Sequence, residues 1–148
     1  MKKLLLLLMI IACSAPMKNS ELVLKNNKMY LPNSEKPYTG EILDLHENGN
    51  KAMNGFYKNG VEDGLWILWH ENGQKYMESI YNDGVINGQA HIWSDDGRKQ
   101  SQFNYKDGEK DGLNIGWYWN GNKLFEKTYD NGKLISEKKW DIDGNPLD

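Results

Sequence analysis

A 24-residue period, unbroken over most of the chain, constrains this fold more than any other feature. Glycine recurs at Gly40, Gly64, Gly88 and Gly112, again at Gly49, Gly73, Gly97 and Gly121, and again at Gly60, Gly84, Gly108 and Gly132. Tyr57, Tyr81, Tyr105 and Tyr129 keep the same step, as do Trp69, Trp93 and Trp117. A fixed period of this length means one small unit stacked several times, each copy touching its neighbours. Stacks of this kind build surfaces more readily than catalytic pockets.

Asx-Gly pairs punctuate the chain at Asn48-Gly49, Asn59-Gly60, Asn72-Gly73, Asp83-Gly84, Asp96-Gly97, Asp107-Gly108, Asn120-Gly121, Asn131-Gly132 and Asp143-Gly144. Both residue types tolerate the positive φ of tight turns, which makes this the strongest short-range hairpin signal. The intervening segments are short, aromatic-rich and broken by glycine, so they predict strands. The expected fold is all-β: an elongated antiparallel β-hairpin meander, a single twisted sheet with two strands per repeat. Residues 21–36 read as an N-terminal cap hairpin, and residues 37–148 as the repeats with a C-terminal cap. Charge and Pro146 on the last unit discourage end-to-end pairing.

Side-chain columns follow from the period. Leu43, Ile67 and Ile115 share one with His91, and Leu45, Trp69, Trp93 and Trp117 share the column two residues on. Met53, Met77 and Phe125 precede the tyrosine column by four residues. An even offset keeps columns on one strand face. These are the expected core, with Trp69 and its equivalents packing onto the tyrosines. The other face, bearing the column Ile42, Trp66, Ala90 and Asn114, is mixed in polarity. Gly64, Gly88 and Gly112 are expected at bulges or close backbone approaches.

The N-terminus reads as an address. Met1-Lys2-Lys3 precedes apolar Leu4 to Ile11 and small Ala12, the pattern of a secretory signal over residues 1–12. The apolar run is far short of the about 20 residues a spanning helix needs. Ile10-Ile11-Ala12-Cys13 resembles the lipobox of bacterial lipoproteins. That resemblance implies cleavage before Cys13, lipidation of its sulfur and amino group, and a lipidated tether over residues 13–20. Ser14 resembles the outer-membrane-sorted pattern of diderm bacteria. The alternative is an ordinary signal with a chance cysteine nearby, but the chain's only Cys stands where the motif requires it. Acyl chains contribute about 0.8 kcal/mol per buried CH₂, enough for a firm anchor when several are present.

Loss of Lys2 and Lys3 with the signal moves the net charge from −3 to about −5. Such a balance gives no footprint for nucleic acid and no basic patch for anionic lipid heads. The membrane partner is therefore the anchor alone.

Tyr57-Lys58-Asn59-Gly60, Asp63-Gly64-Leu65-Trp66 and His70-Glu71-Asn72-Gly73-Gln74-Lys75 resemble the MORN-repeat variant of bacterial proteins (MORN_2). The resemblance covers roughly residues 37–144. Copies three and four depart from it, with Ala90 and Asn114 in place of the Gly-x-Trp tryptophan and Ser94 or Tyr118 in place of His70. It implies the fold strongly and function weakly. Many bacterial chains with this repeat are classed as YwqK-type antitoxins, partners of secreted toxins; elsewhere the repeat is linked to membranes and scaffolding.

The sequence holds no catalytic constellation. His46 and His70 lie one repeat apart with no third ligand in their column, and they read as solvated turn residues rather than a metal site. His91 reads as a packed or rim histidine. Glu62-Asp63 and Asp95-Asp96 follow the turn period and match no calcium loop. No cofactor or metal is expected. Trp66, Tyr76, Tyr118 and Trp119 lie off the expected core columns and are the candidate contact residues. The leading expectation is a non-enzymatic, lipid-anchored envelope scaffold for a protein partner. An antitoxin or immunity role and a cell-wall glycan-binding module are the alternatives.

Overall fold

The computed structural model describes residues 15–147. The signal segment and Cys13 lie outside the described residues. After a 3₁₀ turn at Asn19–Glu21, strands β1 (Val23–Lys25) and β2 (Lys28–Tyr30) form a separate two-stranded cap hairpin. The main sheet is built from β3 (Gly40–Leu45), β4 (Lys51–Lys58), β5 (Val61–Glu62), β6 (Gly64–Trp69), β7 (Lys75–Asn82), β8 (Val85–Trp93), β9 (Lys99–Lys106), β10 (Glu109–Lys110), β11 (Gly112–Trp117), β12 (Lys123–Asp130), β13 (Lys133–Trp140) and β14 (Pro146–Leu147). Its order follows the chain from β3 to β14, with β5 and β10 as short side pairings on β4 and β9. The fold is an antiparallel meander in one unclosed, twisted sheet. Among the described residues no helix is long and apolar enough to cross a membrane.

Two turn types alternate, and their residues explain why. At Asn59-Gly60, Asp83-Gly84, Asp107-Gly108 and Asn131-Gly132 both residues have positive φ, for example 51° and 84° in the first pair. This is the conformation whose twist matches the flanking strands of a two-residue hairpin. At Asn48-Gly49 and its equivalents only the glycine is left-handed, with the His46 and Asn50 backbones closing a longer loop. Each longer loop ends in a bulge. Leu68 pairs with Met77 but Trp69 pairs with Lys75, so Tyr76 is the extra residue. Ala52, Gln100 and Leu124 are the extra residues in the other copies.

The bulge corrects the expected core. It flips the face of everything beyond it, so the tyrosines share a face with Ile42 and Trp66, not with Trp69. On that tyrosine face, Ile42 (0% exposed), Tyr57 (4%), Trp66 (5%) and Ala90 (5%) are buried. The Trp66 ring stands edge-on to Tyr57 at 5.0 Å and to Tyr81 at 6.2 Å. Trp66 is thus a core residue and no contact surface. Leu45, expected in the core, is exposed.

Packing within this face follows one row across the sheet: Ile42, Gly55, Trp66, Ser79, Ala90, Phe103, Asn114, Lys127. In the first two copies the large side chain stands on the first strand and a small one on the second. In the last two the order reverses, with Ala90 and Asn114 small and Phe103 and Lys127 large. Bulk is kept across the row while its owner changes, which is how an uneven column still fills a close-packed layer. The recurrent glycines have a different cause, a positive φ: 76° at Gly64, 109° at Gly88 and 84° at Gly112. Gly40, Gly64, Gly88 and Gly112 stand directly opposite Tyr57, Tyr81, Tyr105 and Tyr129 across their hairpins.

The opposite face carries the tryptophan column, and lysines occupy the space between its rings. Lys51 lies 5.6 Å from the Trp69 ring, Lys75 5.8 Å from Trp93, Lys99 5.9 Å from Trp117 and Lys123 5.7 Å from Trp140. Cation–π contact replaces the expected packing of these rings on tyrosine. At the N-terminal edge, Met17 bridges Ile42 and the Asn19 amide donates to Asp44 at 2.9 Å, so the chain joins the fold within the segment read as tether.

Candidate functional site

The longer turns of successive copies are stapled along one edge of the sheet. His46 donates through Nε2 to the Trp69 carbonyl at 2.8 Å, and His70 to the Trp93 carbonyl at 3.0 Å. Tyr118 occupies the same column, and its hydroxyl donates to the Trp140 carbonyl at 3.0 Å. These histidines are therefore structural ties and not free turn residues. A second set runs beside them. Asn48 donates to the Glu71 carbonyl at 2.7 Å, Asn72 to the Asp95 carbonyl at 2.5 Å and Asn120 to the Ile142 carbonyl at 2.7 Å.

Copy three breaks both sets. Ser94 stands where the others carry a ring, and its short hydroxyl turns inward to Asp96 at 2.6 Å and the Arg98 carbonyl at 3.1 Å. Asp96 stands where the others carry asparagine and has no side-chain N–H to donate. Arg98 takes over, its Nη1 donating to the Trp119 carbonyl at 2.7 Å while Nε and Nη2 hold Asp96. This Arg98 pairing, with help from Ser94, holds the Asp96 carboxyl well below the usual carboxylate range.

The missing ring at Ser94 leaves a cleft of about 360 Å³ between the third and fourth longer turns. Trp117, Tyr118 and Trp119 line it together with Asp95, Arg98 and Gln100. A smaller hollow of about 250 Å³ adjoins it, sharing Arg98, Lys99, Trp117 and Tyr118. Trp119 is 67% exposed, and its column holds Glu47, Glu71 and Asp95 in the earlier copies. The cleft thus unites two of the four candidate contact residues, Tyr118 and Trp119. Tyr76 stands apart, 41% exposed and edge-on to His70 at 5.0 Å. Trp66 is buried on the other face. Ser94 is legible in the sequence as a departure from the repeat, but the space opened by a lost ring in a stapling column shows only once the copies are stacked.

A second exposed feature lies at the C-terminal end of the sheet. Only Lys139 and Trp140 of β13 pair with β14. The rest of its outer edge has no neighbouring strand among the described residues, and Leu134 (44% exposed) and Ile135 (57%) lie along it. The opposite edge is covered at its middle, where the β3 backbone bonds Met17 through Glu41 and Leu43.

Charged groups with displaced pKa values all have local causes. Asp63 and Asp83 raise Lys58, and Lys127 with Lys139 lowers Glu137. Hydrogen bonds from Asn145 lower Asp141. Burial, then nearby Lys99, lowers His91, which stands edge-on to Trp93 at 5.5 Å. Among the described residues no group of three His, Cys, Asp or Glu is placed to hold a metal ion. No protein-family model matches the chain, and no curated protein matches it in sequence.

Proposed function

We propose that this chain is a non-enzymatic, lipid-anchored envelope protein whose repeat sheet receives a protein partner at its open C-terminal edge. The observation that carries the reading is the asymmetry of the two edges. Among the described residues, the chain's own N-terminal segment covers the middle of the six-residue β3 at Glu41 and Leu43, whereas the eight-residue β13 is bare from Lys133 to Lys138. An unpaired strand edge is a template for an added strand. β13 carries Lys133, Lys138 and Lys139 against a single Glu137. A second copy of this edge would set lysine against lysine, so an extended segment bearing acidic side chains fits better.

The anchor supports the same arrangement. Cys13 precedes the segment that binds β3, and eight strand spacings of about 4.8 Å put β13 roughly 40 Å away along the sheet. A lipid on Cys13 would therefore hold one end at the membrane and leave the binding edge free.

A photocrosslinking residue at Ile135 of the full-length chain, in the cells that make it, tests this. The expected result is one heterologous adduct, lost in Lys133→Glu/Lys138→Glu and absent when the crosslinker is placed at Glu47. No adduct, or an adduct of two copies of this chain, overturns the proposal.

A further inference from the structure

We propose that the cleft beneath Trp119 is a binding site for a neutral sugar, separate from the protein-binding edge. Three observations carry it. First, the cleft exists for a stated reason, the loss at Ser94 of a ring that His46, His70 and Tyr118 supply elsewhere. Second, its wall is aromatic, with Trp117 and Tyr118 partly buried and Trp119 projecting beside them. An indole face packs against the C–H face of a pyranose ring, while serine, glutamine and carboxylate groups lining the same cleft can bond its hydroxyls. Asp95, Gln100 and Ser101 provide those groups.

Third, the charges favour neither sign of ligand. Asp95 and Asp96 balance Arg98 and Lys99. Of these, Arg98 and Asp96 hold each other, and Lys99 lies 6.0 Å from the Trp93 ring and 5.9 Å from Trp117. An anionic ligand would meet Asp95, and a cationic one would meet Lys99. A polyhydroxylated neutral ligand meets neither penalty. The volume suits one to two sugar rings rather than a folded protein surface.

Full-length lipidated protein in detergent micelles, titrated with cellotriose and with triacetylchitotriose and read by tryptophan fluorescence, tests this. Trigalacturonate and triglutamate are the charged controls. The expected result is saturable binding of a neutral trisaccharide, weakened at least about tenfold in Trp119→Ala. Ser94→His should abolish binding while the protein melts no lower than wild type, because the ring refills the cleft. The proposal is overturned if neither neutral sugar saturates, if a charged control binds more tightly, or if Ser94→His retains full binding. Crosslinking at Ile135 reads the partner edge independently, so either reading can fail without the other.

Discussion

The indole of Trp66 lies directly over Gly55, so close that a Cβ at position 55 would overlap the ring. Gly55 has ordinary backbone geometry, so the conflict is one of space alone. Gly55→Ala should therefore destabilise by about 1–3 kcal/mol, the usual cost of overpacking. Thermal unfolding would show it as a clear loss in Tm.

Gly64 isolates the other cause of glycine use. Its φ is 76°, and nothing lies within 4 Å of where a Cβ would stand. Gly64→Ala should cost about 1 kcal/mol through backbone strain, and Gly64→Asn less, since asparagine tolerates this region. Equal losses for the two substitutions would contradict the assignment.

The stapling column makes a stabilising change available. Ser94→His should recover the tie that His70 makes to the next copy and raise stability by about 0.5–1.5 kcal/mol. His70→Ala should lose a similar amount. Chemical denaturation of both variants measures the pair, and the opposite signs are the content of the prediction.

Alkaline pH should weaken the fold through Tyr57. Burial, aided by Glu62 and Asp44, pushes its hydroxyl up to about 12 from an ordinary value of 10.0. The native state then holds a proton that the unfolded chain has released. Stability is fully present below pH 10 and falls as pH rises toward 12, by on the order of 2 kcal/mol. Tyr105 and Tyr38 are raised in the same direction, also chiefly by burial. Tyr57→Phe should flatten the decline measured by denaturation between about pH 9 and about pH 12.

Much of this architecture was legible in the sequence because its causes are local. Asx-Gly pairs fix turns by their own φ preferences, and the period transmits one unit's reading to the rest. Face assignment was not legible. It depends on the extra residue at Ala52, Tyr76, Gln100 and Leu124, and no single-strand alternation reports a bulge. That one-residue shift moved Trp66 from an expected contact surface into the core. It also set Trp69 among lysines. The cleft depends on spatial neighbours one repeat apart, so Ser94 carried its signal only in comparison with His46, His70 and Tyr118. Trp119 was legible as a candidate because an exposed turn position that is acidic in earlier copies has become aromatic.

Side-chain bulk along the buried row is shared between paired strands rather than assigned to one column. A double-mutant cycle on Trp66→Ala and Ser79→Phe tests it. The double variant moves the row's aromatic ring from β6 to β7 and leaves a small side chain on either side of it. Phe103 already stands that way in the wild type, between Ala90 and Asn114. Each single change should destabilise, Trp66→Ala by about 3–5 kcal/mol and Ser79→Phe by about 1–3 kcal/mol. The double variant should be more stable than their sum by at least about 2 kcal/mol. Additive losses would contradict the account.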